Sequence, residues 1–117
     1  MVKNDLEKSA FKVVWDGLNA YESGDYQAAI EYFQKAIEME PNASYGYHYL
    51  GKAFIKQKKY EKAIDNFEEA IKIKPDYAEA WLQMGLAYLG LGKEPKAAEC
   101  IKRGNQFASM KDKKPVR

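Results

Sequence analysis

The chain offers few side chains of the kinds that carry out catalysis or bind metal ions. His48 is the only histidine and Cys100 the only cysteine in 117 residues. One histidine cannot supply a His–His metal site within a chain, and a catalytic thiol needs a base beside it. We interpret His48 as a surface or packed residue and Cys100 as a small buried thiol. The residues therefore predict no enzyme, no metal and no cofactor.

Residues 90–93, with the sequence GLGK, are the nearest approach to a phosphate-binding loop. That motif needs an earlier glycine where Ala87 stands, and a strand before it. The preceding residues follow a helical pattern instead. We interpret the segment as the end of a helix followed by a turn.

Basic residues cluster around one turn, but their pattern does not favour a nucleic-acid partner. The cluster consists of Lys52, Lys56, Lys58, Lys59 and Lys62. Arginine is scarce, and the isoelectric point of about 8.5 is modest for a nucleic-acid-binding domain. A solvated turn explains these lysines better.

Composition predicts a globular domain. Hydrophobic residues make up 46% of the chain and charged residues 31%. No apolar run approaches the ~20 residues that a membrane-spanning helix needs, so we expect no membrane insertion. Residues 1–10 lack the hydrophobic stretch of a secretory signal, which leads us to expect a cytoplasmic location.

Three copies of one pattern, 34 residues apart, organise the sequence. The recurring positions are Gly17, Gly51 and Gly85; Ala29, Ala63 and Ala97; and Phe33, Phe67 and Ile101. Each copy has two apolar stretches at helical spacing, separated by a turn. Gly24 and Asp25 form the turn of the first copy, and Asp76 is placed to cap a helix. The small residues predict sites where two helices approach closely, while the large ones fill the space between them.

This pattern resembles the tetratricopeptide repeat family. The second copy carries it most fully, in Leu50-Gly51, Phe54, Tyr60, Ala63, Phe67, Ala70 and Pro75. The resemblance implies an all-α fold: a right-handed superhelical stack of three antiparallel helix pairs. We predict a single domain at residues 1–111, with repeats at 10–43, 44–77 and 78–111 and a basic tail at 112–117. The outer face of the last helix carries Asn105, as a terminal cap would.

In this family the first helix of each repeat lines a concave groove that usually holds a peptide or helix of another protein. The resemblance therefore implies a protein-interaction module. The corresponding residues are Phe11, Val14, Trp15, Leu18, Tyr45, His48, Tyr49, Lys52, Leu82, Gln83 and Leu86. They predict an aromatic and apolar groove that suits an amphipathic helix or a hydrophobic peptide. Packing of the first-helix stripe into the core is an alternative, since Asp16 stands where Leu50 and Met84 recur.

One subset of the family holds the terminal carboxylate of heat-shock chaperones with lysine, asparagine and arginine side chains. The corresponding positions here hold Val14, Leu18, Tyr49, Glu79 and Gln83. None matches, so we expect no carboxylate clamp of this type.

Self-association is the alternative function. An exposed apolar stripe on the first helix, or the residues Phe107 and Met110, could contact a second copy. Charge is also uneven: residues 1–43 contain four lysines and eight acidic residues, whereas residues 78–111 contain five basic and three acidic residues. Such opposite ends could favour head-to-tail association.

Overall fold

The computed structural model describes residues 9–112, and all regular structure within that range is helical. Six helices follow one another: α1 Ala10–Glu22, α2 Tyr26–Met39, α3 Ser44–Lys56, α4 Tyr60–Ile73, α5 Ala78–Gly90 and α6 Glu94–Asp112. Successive helices are joined by turns of three or four residues and pack against each other, as in helical hairpins. α3 also contacts α5, so the first helices of successive pairs lie side by side.

The predicted close approach of the two helices in each pair is confirmed at the glycines. A β-carbon added at Gly17 would lie 2.6 Å from the ring of Phe33, and one at Gly51 would lie 2.6 Å from the ring of Phe67. Both phenylalanines are completely buried. In the third pair the neighbour of Gly85 is Ile101, at 2.7 Å. Each second helix therefore inserts a large side chain into a notch that only glycine leaves open.

The turns depend on local backbone chemistry. Gly24 has a φ of 86°, a value that glycine adopts without steric cost. Asp25 then caps α2, because its carboxylate accepts a hydrogen bond from the backbone N–H of Ala28 at 3.1 Å. The predicted cap at Asp76 is wrong, since Tyr77 occupies the N-cap of α5 without a side-chain hydrogen bond.

The core is one layer of apolar side chains between first and second helices. It is continuous from Val13 and Val14 in α1 to Cys100 in α6. The division into a domain of residues 1–111 stays a prediction. The predicted basic tail lies outside the described residues except for Asp112, which ends α6.

Gly51→Ala tests the packing account. The new methyl group would overlap Phe67, so we expect a loss of about 1–3 kcal/mol in the free energy of unfolding, although alanine favours helix more than glycine does. Urea denaturation followed by circular dichroism measures this loss.

The control is the same Gly51→Ala substitution made in a Phe67→Leu variant. Leucine removes the ring that the methyl group would strike, so the same glycine substitution should cost much less there. Equal costs in the two backgrounds would contradict the assignment of Phe67 as the clashing group.

Candidate functional site

The predicted groove residues divide by burial. Val14 and His48 are buried, with 6% and 3% of their surface exposed. The prediction that Val14 and His48 line a groove surface is therefore corrected. The Val14 side chain belongs to the core cluster, and the His48 ring lies among other aromatic rings. Leu86 is 48% exposed. The half-buried members are Leu18, Tyr45, Tyr49, Lys52, Leu82 and Gln83.

The apolar residues of the α1 stripe differ in burial, so they do not all lie in the core or all line a groove. Val14 faces the core, but Phe11 and Trp15 are 77% and 56% exposed. Asp16 forms an ion pair with Lys12, with 2.7 Å between carboxylate oxygen and ammonium nitrogen. The alternative in which the whole stripe packs inward is wrong for the two aromatic residues.

His48 lies at the centre of an aromatic cluster. Its ring centroid is 4.8 Å from that of Tyr77, 5.2 Å from that of Tyr49 and 6.0 Å from that of Phe67. Its Nδ1 atom is 3.0 Å from the Tyr77 hydroxyl oxygen. Burial raises the pKa of the Tyr77 hydroxyl, which therefore keeps its proton and can donate it to Nδ1.

Burial, with a further contribution from the charge of Lys52, lowers the pKa of His48 to about 4. The imidazole is neutral at physiological pH. Among the described residues, no protein group forms a hydrogen bond with its Nε2 atom. The site thus holds a neutral ring in an aromatic setting, which suits packing better than acid–base catalysis.

A row of accessible side chains follows the first helices. The Lys52 ammonium of α3 lies 5.5 Å from the ring centre of Tyr21 in α1 and 5.9 Å from that of Tyr49. It therefore joins two first helices through cation–π contacts. Leu86 and Leu89 of α5 are each 48% exposed. Together with Leu18, these residues define what we call the first-helix face: Leu18, Tyr21, Tyr49, Lys52, Leu86 and Leu89.

Within residues 9–112 we also searched for metal-binding groups, membrane-spanning helices and a reactive thiol. No group of three or more histidine, cysteine, aspartate or glutamate residues there is arranged to hold a metal ion. Nor is any helix in that range both long and apolar enough to cross a membrane. Burial raises the pKa of the Cys100 thiol, so the reactive thiolate is disfavoured.

Comparison with protein families identifies the repeat. Models described as tetratricopeptide repeats match residues 20–65 and 78–107, and a model described as a TPR repeat matches residues 51–92. These matches overlap and together span residues 20–107. The chain belongs to the tetratricopeptide repeat family. No curated protein sequence matches it.

Solved structures with the same fold include several tetratricopeptide repeat domains. The second such domain of Spaghetti (RPAP3), bound to the HSP90 peptide SRMEEVD, is 22% identical, with a TM-score of 0.83; the match covers 92% of this chain and 99% of that one. The Arabidopsis OM64 domain is 18% identical, with a TM-score of 0.85 and coverages of 88% and 85%. MamA is 30% identical with a TM-score of 0.82, and the match covers 88% of this chain and 60% of MamA. The predicted all-α repeat fold is confirmed.

The sequence did not lead us to predict a second recessed surface, which lies on the side of the second helices. Two cavities lie between successive second helices, with a first helix as their floor. One, of about 470 Å³, has Met84, Tyr88 and Cys100 among its lining residues. The other, of about 320 Å³, is lined at the corresponding positions by Leu50, Phe54 and Asn66. The 34-residue repeat could have predicted this correspondence, because each of the three residues named for the first cavity lies 34 residues after its counterpart in the second.

The low pKa of His48 predicts a pH dependence of stability. Its ordinary value is 6.5 and its value in the fold is about 4. The unfolded chain therefore binds a proton that the folded chain does not, and stability falls as pH decreases from about 6.5 towards 4. Between pH 7 and pH 5 we expect a loss of about 2 kcal/mol from this residue.

His48→Asn keeps a polar atom near the Tyr77 hydroxyl but has no titrating ring. The variant is expected to be less stable at pH 7 and to lose little further stability down to pH 5. Chemical denaturation of both proteins at several pH values measures the difference. Parallel pH profiles for the two proteins would contradict a buried neutral imidazole.

Proposed function

We propose that this protein is a non-enzymatic interaction module whose first-helix face binds an apolar peptide or an amphipathic helix of another protein. The observation that carries the proposal is the set of accessible apolar side chains on the three first helices, with Leu18 and Leu86 at equivalent positions of their repeats. Leu18, Tyr49 and Leu86 belong to this set, and Lys52 lies on the same face. Isolated apolar residues are common on surfaces, but a group of them on one face is typical of a binding site.

The face has one polar anchor. Lys52 is half-buried over two tyrosine rings, so its ammonium group is held in place before any ligand arrives. A ligand with an acidic side chain near an apolar segment would complement it. Aromatic residues in such positions often contribute most of the binding energy.

A shared fold does not show that this protein binds the same ligand as a relative. The Spaghetti domain is bound to a peptide with an acidic end, SRMEEVD. The clamp positions here provide no cation: Val14 is buried, Tyr49 packs on Phe33 with ring centroids 5.6 Å apart, and Glu79 carries a negative charge. A terminal carboxylate would meet an acidic group where the clamp needs a lysine. We therefore propose a different ligand class.

Selection from a random peptide library on the immobilised protein tests the apolar face. Enriched peptides should be apolar or amphipathic, and Leu86→Asp should weaken their binding about tenfold or more, because it places a charge in an apolar contact. Leu86 is a cleaner target than Tyr49, whose ring also packs on Phe33.

Tyr32→Asp is the matched control, since Tyr32 is 40% exposed on the second helix α2. It should leave affinity unchanged. Enriched peptides that bind the Leu86 variant as well as the original protein would contradict the proposed face.

The peptide SRMEEVD tests whether the protein binds a terminal carboxylate. We expect its dissociation constant to exceed about 1 mM, and to change little when the terminal carboxylate is replaced by an amide, because no clamp cation is in place. Isothermal titration calorimetry measures both peptides. Micromolar binding that requires the free carboxylate would contradict the proposal.

A further inference from the structure

The first and last helices of the repeat stack each carry exposed apolar side chains. α1 has no helix before it in the described residues, and α6 has none after it. Inside the stack, the same positions are used to join one repeat to the next. We propose that the exposed side of α1 in one copy of this protein docks on the outer side of α6 in a second copy, which produces head-to-tail assembly.

Internal contacts show what the α1 positions do when a helix precedes them. In α3, Tyr49 stacks on Phe33 of α2, and the Tyr45 hydroxyl donates a hydrogen bond to the Glu40 carboxylate. The residues 34 positions earlier are Trp15 and Phe11. These side chains are exposed and border a depression of about 420 Å³ on α1. They occupy positions for contact with a preceding repeat, and no helix of residues 9–112 covers them.

The outer side of α6 is the matching surface. Ile101 occupies the position of Phe33 and Phe67, yet it is only half-buried, whereas both phenylalanines are fully covered. Met110 is 65% exposed. A depression of about 910 Å³ lies along this side, and Ala98, Ile101, Phe107 and Met110 are among its lining residues. The repeat spacing would place Trp15 of the second copy over Ile101.

Charge favours the contact between opposite ends over a contact between like ends. Residues 1–43 carry a net charge of −4, from four lysines and eight acidic residues. Residues 78–117 carry eight basic and four acidic residues, a net charge of +4. Two N-terminal ends would repel each other, as would two C-terminal ends, whereas one of each attract.

The assembly is weaker than the contacts within the chain. The third and tenth positions of α3 are Gly46 and Ala53, which are both buried, and at Gly46 an added β-carbon would lie 2.9 Å from Ile37 of α2. The corresponding residues of α1 are Lys12 and Asn19, whose longer side chains keep a partner helix further away. Asn105 of α6 is a polar partner for such side chains. This end-to-end contact is open-ended, so assembly proceeds beyond a dimer as concentration rises.

Analytical ultracentrifugation of the full chain, with variants blocked at one end, tests the proposal. The first variant, Phe11→Ser with Trp15→Gln, removes the aromatic pair of α1. The second, Ala98→Gln with Met110→Gln, fills the depression on α6. Tyr32→Gln with Met39→Gln changes two exposed residues of α2 and is the matched control. None of these substitutions changes the net charge.

The unaltered chain and the control should show an average mass that rises with concentration and falls when salt is raised from about 50 mM to about 500 mM. Each blocked variant alone should associate about tenfold or more weakly. Mixed together, they should form a 1:1 dimer and stop there, because each provides the end that the other lacks. Circular dichroism verifies that all are folded.

Three outcomes would overturn the proposal. A monomer at all concentrations would mean that another segment or partner covers these ends. Association of the α6 variant alone, without gain on mixing, would indicate a symmetric contact between α1 helices. Unchanged association of both variants would place the contact elsewhere.

Discussion

The contact on which the structure depends is the insertion of one large side chain into a glycine notch, repeated in each helix pair. Phe33 and Phe67 lie against Gly17 and Gly51 so closely that even a β-carbon would overlap them. Dense packing of this kind fixes how far apart the two helices lie. The notch thus sets how the first helix of each pair lies against its second helix, and with it where the accessible side chains of the first helices point. The proposed binding face therefore depends on the notch.

The same geometry explains which sequence predictions succeeded. Glycine, alanine and phenylalanine recur at fixed spacing because they pack against one another. The helix pairs and their close approach could therefore be predicted from these residues. The turn at Gly24 and the cap at Asp25 were also predictable, since they depend on local backbone chemistry. Asp76 was not, because helix α5 begins one residue later than the capping pattern required.

The site was harder to predict than the fold. A helical period assigns a side chain to a stripe, but a stripe about 100° wide includes residues that face the core, the groove and the neighbouring repeat. Val14 and Trp15 are adjacent in sequence, yet one is buried and the other exposed. The burial of His48 depends on Tyr77, which is 29 residues away, at the N-cap of α5. The cavities between second helices likewise depend on three helices at once.

We propose that ligands bind to the first helices and not in the cavities between second helices. A nuclear magnetic resonance titration of the isotope-labelled protein with a library-selected peptide tests this assignment. We expect the chemical-shift changes to concentrate at Leu18, Lys52, Leu86 and their neighbours on α1, α3 and α5. Shifts concentrated at Glu68, Lys96 and Cys100, around the cavity between α4 and α6, would contradict it.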